Sequence, residues 1–214
     1  MDYKRNQVEE AISRVLEPGS KKKPSSEMRT RLKRLLDVDR AFGRNKRSAD
    51  AKHANFAFYN TDALGRGVEH WFSGYGVFAL LMGLRLLQHG WPQRFAVALL
   101  RYIRPELEKH HGQILQRDST EISDPRRMQA QPMEGDLATP GSDPVFLAIR
   151  GKDREDQLRP VAEICRGQGE LMNALLRNHE VGQTWTTFEL ANSARALDSE
   201  LAKTVPRRRG RSSN

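Results

Sequence analysis

Cysteine is almost absent from this sequence, since Cys165 is the one cysteine among 214 residues. A single thiol cannot form an internal disulfide, and it does not provide the ligand spacing of a structural zinc site. We therefore expect Cys165 to be a small buried hydrophobic residue. Aromatic residues are also few, at 7%, and the composition of 37% hydrophobic and 29% charged residues is typical of a soluble protein with one large or two small domains.

Long hydrophobic runs are missing as well. The most apolar stretch, Phe78 to Ile103, is interrupted by Arg85 and by a GWP turn at residues 90–92. A membrane span needs about 20 uninterrupted apolar residues, so this stretch predicts two helices of a soluble core. The chain begins MDYKRNQVEE, without a basic segment that leads into an apolar run. We therefore expect a cytoplasmic protein with no membrane partner.

The two helices differ in their patterns. The first, about Tyr75 to His89, is apolar nearly all round, as is typical of a central core helix. The second, about Pro92 to Leu115, has apolar residues every three or four positions and is expected to be amphipathic, with a kink at Pro105. Its apolar side consists of Phe95, Leu99, Tyr102 and Ile103, and its charged residues are Arg101, Arg104, Glu106, Glu108 and Lys109.

Positive charge is concentrated in two segments. Twelve basic and four acidic residues lie between Lys21 and Lys52, and five basic residues with no acidic residue follow from Lys203 onward. The formal net charge of the chain is +9, so the remainder is neutral to acidic. Such clustering indicates a polyanionic partner. The alternative is a solvated surface and a tail that only increase solubility.

The basic segment follows a short amphipathic helix, Asn6 to Leu16. A second helix is expected to begin after an N-cap at Ser25 or Ser26. Its apolar stripe of Met28, Leu32, Leu35 and Leu36 predicts a buried side. The other side carries basic residues and a threonine, which are able to reach phosphates and base edges in a major groove. These residues are Arg29, Thr30, Lys33, Arg34 and Arg40.

Two aromatic stretches predict a hairpin downstream. They are FAFY at residues 56–59 and VEHWF at residues 68–72, and the polar loop NTDALGRG separates them. Arg66 lies between two glycines of that loop, so it is either a nucleic-acid contact or an ordinary exposed arginine. The aromatic side chains are expected to pack in the core, because strands of this kind pack on neighbouring helices. They are Phe56, Phe58, Trp71 and Phe72.

The order of these elements is that of a winged helix-turn-helix module. In this order, and in the segment YGVFALLMGLRLLQHGWPQRFAVALL at residues 75–100, the chain resembles the MerR-type winged-helix superfamily over about residues 6–115. The resemblance implies binding of double-stranded DNA through the second helix and the hairpin wing, usually by a homodimer. The chain departs from the family pattern in its longer connection EPGSKKKPS at residues 17–25 and in lacking sustained heptads beyond Leu115.

The residues expected to bind DNA lie in the second helix, in the loop after it, in the wing and in the C-terminal tail. In the tail, only phosphate contacts are expected. From the helix to the wing they are Arg29, Thr30, Lys33, Arg34, Arg40, Arg44, Lys46, Arg47 and Arg66, and in the tail they are Arg207, Arg208, Arg209 and Arg211.

The remaining sequence predicts a linker and a second domain. Residues 116–143 are rich in Pro, Ser, Asp and Gly without hydrophobic period, which is typical of a flexible linker. Residues 144–205 predict strands at 144–149, 161–165 and 183–190, with helices at 170–177 and 191–203, in a small α/β or α+β unit. The expected fold is mainly α with small β elements: a winged-helix domain (1–115), the linker, a dimerisation, effector or partner domain (144–205) and a basic tail (206–214).

Catalytic motifs are poorly represented, so we expect neither an enzyme nor a cofactor. Glu106 and His110 have the spacing of metal ligands on one helix face, with Glu108 and His111 nearby, but no further ligand accompanies them. The sequences GRG and GQG lack the context and the lysine of a phosphate loop. The function expected is that of a DNA-binding transcriptional regulator. The alternatives are an adaptor that binds protein or RNA and a small-ligand-binding protein that uses Phe56, Trp71 and Trp91.

Overall fold

The computed structural model describes residues 1–17, 23–60, 70–116, 144–152, 161–177 and 183–206. Over these residues the chain is mainly helical with two small antiparallel sheets, which confirms the predicted fold class at that level. It divides into two compact units, Met1–Arg104 with Ala196–Asn214, and Pro105–Arg195. Most of the predicted linker lies outside the described residues, so the predicted domain boundaries stay predictions.

The first unit contains the predicted sequence of helices. The first helix and the apolar helix agree with the predictions to within one residue at each end, and the second long helix begins after Ser25, one of its two predicted N-caps. Its elements are β1 (Asp2–Lys4), α1 (Arg5–Leu16), α2 (Ser26–Ala41), the short α3 (Ala51–Ala54), β2 (Trp71–Ser73), α4 (Gly74–Gln88) and the first part of α5 (Gln93–Gln116).

Helix α4 is the central core helix of this unit. Every residue from Tyr75 to Leu84 is buried, as its apolar sequence predicts. Ser73 caps the helix, because its Oγ accepts a hydrogen bond from the backbone N–H of Gly76 at 3.1 Å. A Cβ at Gly76 would lie 2.7 Å from the carbonyl oxygen of Phe58. A glycine is therefore needed where α4 passes the segment that precedes it.

The predicted pairing of FAFY with VEHWF is wrong. Residues 56–59 form no strand, and β2 pairs instead with β1, with Phe72 opposite Tyr3. The reason is that side chains form hydrogen bonds with the backbone N–H and C=O groups of this segment. The N–H groups of Ala57 and Phe58 donate to the Asp39 carboxylate, and an arginine of α5 donates to two carbonyl groups of the same segment. No backbone donor is left at these two residues for a strand partner.

The aromatic residues of this region were predicted to be core, and one of them is not. Phe56, Phe58 and Phe72 are buried, whereas Trp71 is 49% exposed. Neighbouring residues of a strand point to opposite faces, so Phe72 faces the core and Trp71 faces away. The ammonium group of Lys4, opposite Trp71 in the ribbon, lies 5.0 Å from the centre of the indole ring.

Helix α5 is continuous through Pro105, and its two sides differ from the prediction at two positions. Leu99 and Ile103 are buried as expected, but Tyr102 is 50% exposed. Arg101, which was placed on the charged side, is 0% exposed. The apolar side of α5 therefore includes an arginine, and the partner of this arginine lies on α2.

The second unit contains the later part of α5 and a small sheet packed with helices. The sheet has the order β4-β3-β5 with antiparallel pairing, and the strands and helices predicted from 144 to 203 are confirmed. Cys165 is buried with Ala148 and Ala174, as expected for a small hydrophobic residue. The elements are β3 (Val145–Lys152), β4 (Val161–Arg166), α6 (Gly167–Leu176), β5 (Gln183–Glu189) and α7 (Ala191–Ala202), which passes into the first unit at Ala196.

Candidate nucleic-acid interface

Helix α2 presents one buried and one basic side. Ser25 is its N-cap, with Oγ accepting from the backbone N–H of Met28 at 3.1 Å. Leu32, Leu35 and Leu36 are buried, and Met28 is half-buried. The five residues predicted to bind DNA on this helix are all exposed. We call them the basic ridge: Arg29, Thr30, Lys33, Arg34 and Arg40.

The side chains of the basic ridge are engaged to different degrees. Arg29 Nε lies 3.5 Å from Glu9 Oε2 on α1. The guanidinium of Arg40 lies 5.2 Å from the centre of the Tyr59 ring. Lys33 and Arg34 make no hydrogen bond or ion pair with any other described residue. These two cations are therefore the ridge residues most available to a bound anion.

The loop after α2 holds the next group of predicted DNA-binding residues. Arg44 is half-buried, with its Nε donating to the carbonyl of Ala54 at 2.9 Å and its guanidinium 5.7 Å from the centre of the Phe56 ring. Lys46 and Arg47 are exposed. Arg44 therefore supports the loop through contacts within the unit, and Lys46 and Arg47 lie at the surface of the loop.

The remaining predicted site residues lie outside the described part of the chain. They belong to the loop of the predicted hairpin and to the basic tail, and they are Arg66, Arg207, Arg208, Arg209 and Arg211.

A buried ion pair lies beneath the basic ridge. Asp39 is on the apolar side of α2, and Arg101 Nε lies 2.8 Å from its Oδ1, with both side chains 0% exposed. The Asp39 carboxylate also accepts from the backbone N–H groups of Ala57 at 3.0 Å and Phe58 at 3.1 Å. Two backbone donors and the neighbouring guanidinium charge therefore compensate the buried carboxylate, whereas Arg101 Nε makes no hydrogen bond with any described residue.

Burial and pairing act in opposite directions on these two groups. Burial raises the pKa of Asp39, and the N–H of Ala57 and the guanidinium of Arg101 oppose this rise. Burial lowers the pKa of Arg101, and Asp39 opposes this fall. Each partner therefore compensates the cost of removing the other from water, and the pair constrains the position of α2 relative to α5.

Two arginines of α5 fix the segment between α2 and β2. Arg101 donates through its terminal nitrogens to the carbonyl groups of Gly43 and, at 3.2 Å, Lys52. Arg104 Nη1 donates to the carbonyl groups of Phe56 at 2.7 Å and Tyr59 at 2.5 Å. Residues 43–59 are thus tied to α5 at four carbonyl groups, which fixes the C-terminal end of α2 and the basic loop on the same scaffold.

Sequence reasoning missed these functions of Asp39, Arg101 and Arg104. A signal for the buried pair was present, since Asp39 lies four residues after Leu35 and three after Leu36, on the apolar side of its helix. Arg101 similarly lies four residues after the buried Val97. Two opposite charges on the apolar sides of two helices indicate a buried pair, whereas the carbonyl partners could not be read from a pattern.

Tyr59 and His70 adjoin the end of the basic ridge. Their ring centres are 5.4 Å apart. Burial raises the pKa of Tyr59 to about 12, so the phenol is neutral at pH 7. Burial also lowers the pKa of His70, and Arg40 adds to this effect. At neutral pH the positive charge at this end of the ridge therefore comes from Arg40.

Other candidate sites have weaker support. His110 and His111 are buried, and Glu106 lies 3.6 Å from Lys109 in an exposed ion pair. No group of three or more potential metal ligands occurs among the described residues.

The three aromatic residues considered for a ligand site each have a different partner. Phe56 packs against Arg101, Trp71 against Lys4, and Trp91 stacks on Phe95 with ring centres 4.6 Å apart.

Helices long and apolar enough to cross a membrane are absent from the described residues. Comparison with protein-family models gives no match to this chain, and comparison with curated proteins gives none either.

Proposed function

We propose that this protein binds double-stranded DNA through the basic ridge of α2 and acts as a transcriptional regulator. The observation that supports this proposal most strongly is the division of α2 into a buried apolar side and an exposed side on which Lys33 and Arg34 have no polar partner among the described residues. Lysine and arginine on an exposed helix face neutralise phosphates and reach base edges, so a DNA groove is a fitting partner for this face.

The support beneath the ridge favours a specific function over diffuse charge attraction. Asp39 and Arg101 hold the C-terminal end of α2, and the loop that carries Lys46 and Arg47 is tied to the same helix α5. A recognition surface must keep its side chains in register with the bases, and rigid support of this kind is what such a surface requires.

The proposal retains one feature implied by the resemblance to MerR-type winged-helix proteins. This feature is a homodimer, for which the second unit would provide contacts. A dimer would bind two half-sites, so the selected DNA should be palindromic with half-sites about one helical turn apart. Analytical ultracentrifugation of the full chain, with and without DNA, measures the oligomeric state directly.

The experiment that tests the proposal is selection of bound duplexes from a random library, followed by a salt titration on the selected duplex. We expect one enriched sequence, and a log-log plot of affinity against salt with a slope of about −5 or steeper if five or more phosphates are neutralised. A single-stranded RNA of the same sequence and a scrambled duplex are the matched controls. A flat salt profile, or equal affinity for all three nucleic acids, would overturn the proposal.

A further inference from the structure

Three helix ends of the first unit meet around a surface cavity of about 130 Å³. They are the C-terminal ends of α1 and α4 and the N-terminal end of α2. Each helix contributes two lining residues that are four positions apart, and residues at this spacing lie on one face of a helix. The pairs are Ser13 and Glu17 on α1, Glu27 and Arg31 on α2, and Leu84 and Gln88 on α4.

The most buried part of the cavity is apolar. Leu84 of α4 is 2% exposed, and Leu16 of α1 and Met28 of α2 are half-buried beside it. An alkyl group that contacts these side chains is removed from water, which favours its binding. The cavity therefore has room for a small aliphatic group at its base.

A buried hydroxyl group lines the same cavity. Ser13 is 7% exposed, and its side chain makes no hydrogen bond with any other described residue. Its backbone carbonyl is already used, because it accepts from the N–H of Glu17 at 2.9 Å. Buried polar side chains are normally hydrogen-bonded, so a buried hydroxyl group without a protein partner indicates that a ligand supplies the partner.

Opposite charges lie on two sides of the cavity. On the α1 side, the Glu17 carboxylate makes no hydrogen bond or ion pair with any other described residue. On the α2 side, Arg31 Nη2 lies 2.6 Å from Glu27 Oε1, and the other donors of the guanidinium make no hydrogen bond with any described residue. The helix ends add to this separation, because the C-terminal end of α1 carries partial negative charge and the N-terminal end of α2 partial positive charge.

We propose that this cavity binds a small zwitterion, an aliphatic α-amino acid, with its ammonium group at Ser13 and Glu17 and its carboxylate at Arg31. An ammonium group only donates hydrogen bonds and a carboxylate only accepts them, so the two groups match the acceptor side and the donor side of the cavity. The alkyl side chain lies on Leu84. A cavity of roughly 150 Å³ is large enough to bind benzene, so a cavity of about 130 Å³ that is open to solvent suits a ligand about the size of valine.

The site adjoins the basic ridge without including it. Met28 is followed directly by Arg29, the first ridge residue, whose backbone N–H donates to the carbonyl of Ser25 at 3.1 Å. A ligand that contacts α1, α2 and α4 together holds the first turn of α2 in place. The ligand touches no ridge residue, so this inference goes beyond the proposed DNA binding and its tests need no DNA.

Methyl NMR of the full chain tests the site directly. The chain has six methionines, of which Met28 lines the cavity and Met172 lies in the second unit. Their methyl groups are isotope-labelled, and the Met28 signal is assigned from Met28→Leu. With L-valine added to about 30 mM, we expect a saturable shift of the Met28 signal with a dissociation constant on the order of 1 mM, and no shift of the Met172 signal. An unshifted Met28 signal, or equal shifts of both signals, would overturn the inference.

Two analogues of valine separate the charged groups. Isobutylamine lacks the carboxylate and isovalerate lacks the ammonium group, whereas both keep the alkyl group. Each analogue leaves one charged side of the cavity without a partner, so we expect each to bind at least about tenfold more weakly than L-valine. If either analogue bound as tightly as L-valine, a zwitterion would not be the ligand of this site.

Substitutions at the two sides of the cavity assign the contacts. Glu17 and Arg31 are exposed, so Glu17→Gln and Arg31→Gln should leave the fold intact. We expect each to weaken L-valine binding about tenfold, and Arg31→Gln to remove the preference for L-valine over isobutylamine. Arg94→Gln is the matched control, because Arg94 is an exposed arginine of α5 that does not line the cavity, and it should leave the dissociation constant unchanged. Equal losses for Arg31→Gln and Arg94→Gln, or unchanged binding in both cavity variants, would contradict the site.

Discussion

Replacing Arg101 by methionine should be one of the most destabilising single changes in the first unit. Methionine retains much of the buried volume but removes the guanidinium that lies 2.8 Å from Asp39 and that bonds the carbonyl groups of Gly43 and Lys52. Leaving one partner of a buried pair uncompensated costs about 3–5 kcal/mol. Domains are stable by only about 5–15 kcal/mol, so the loss is a large fraction of the total.

A double-mutant cycle assigns this loss to the pair. Asp39→Asn leaves an oxygen for the N–H groups of Ala57 and Phe58 but removes the charge, so the double variant with Arg101→Met no longer contains a buried uncompensated carboxylate. We therefore expect the double variant to be more stable than the sum of the two single losses predicts, by about 1–3 kcal/mol.

Urea unfolding followed by circular dichroism measures these free energies from the midpoint and the slope. Arg94→Met is the matched control, because Arg94 is an exposed arginine of the same helix whose guanidinium lies 5.4 Å from the centre of the Phe42 ring. It should change stability by about 0.5 kcal/mol or less. The reasoning would be refuted if Arg101→Met cost less than about 1 kcal/mol, or if the two single losses were additive.

Three further changes give measurable outcomes. Glu9→Gln removes the carboxylate that Arg5 and Arg29 share, and it should strengthen duplex binding about two- to fivefold in an anisotropy assay, as expected for ion pairs whose arginines are exposed. Weaker binding would argue against the ridge. Gly76→Ala should lower the free energy of unfolding by about 1–3 kcal/mol, because its Cβ would lie 2.7 Å from the carbonyl oxygen of Phe58. Gly112→Ala has open space around its Cβ and should raise the free energy of unfolding by up to about 1 kcal/mol. Equal effects of the two substitutions in urea unfolding would contradict the packing of α4. The hydrogen bond from Lys203 lowers the pKa of Glu200 in the folded protein. The stabilising contribution of Glu200 is therefore present above its unfolded pKa near 4.5 and is lost as the pH falls. Thermal unfolding of Glu200→Gln should depend less on pH between about 3 and 5 than that of the native protein.

The sequence was sufficient to predict elements whose stabilisation is local. Helix α2 has an N-cap serine and an apolar stripe of period 3.6, and strand β3 begins with the continuous apolar run VFLAI. These signals depend only on residues close in sequence, so they can be recognised without knowledge of the tertiary contacts. The exposure of Lys33 and Arg34 followed from the same periodicity.

The failures occurred where distant groups decide the structure. FAFY is a good strand by propensity, but the Asp39 carboxylate, 18 residues earlier than Ala57, takes the N–H groups that a strand would use. Arg101 reads as a surface charge until its buried partner on α2 is known. Strand β1 has only three residues, too few for a periodic signal, and its pairing with β2 connects positions about 70 residues apart. Contacts between residues so far apart in sequence are determined by the tertiary fold, and a local sequence pattern does not predict them.

The measurement that tests the central claim most directly is the affinity of Lys33→Ala for the selected duplex and for a scrambled duplex. If the basic ridge reads bases, this substitution should cost about 1–3 kcal/mol on the selected duplex and much less on the scrambled one. Lys109→Ala removes the same charge from an exposed position, where the side chain is 56% exposed, and should leave both affinities nearly unchanged. Equal losses for Lys33→Ala on the two duplexes would contradict base recognition by α2.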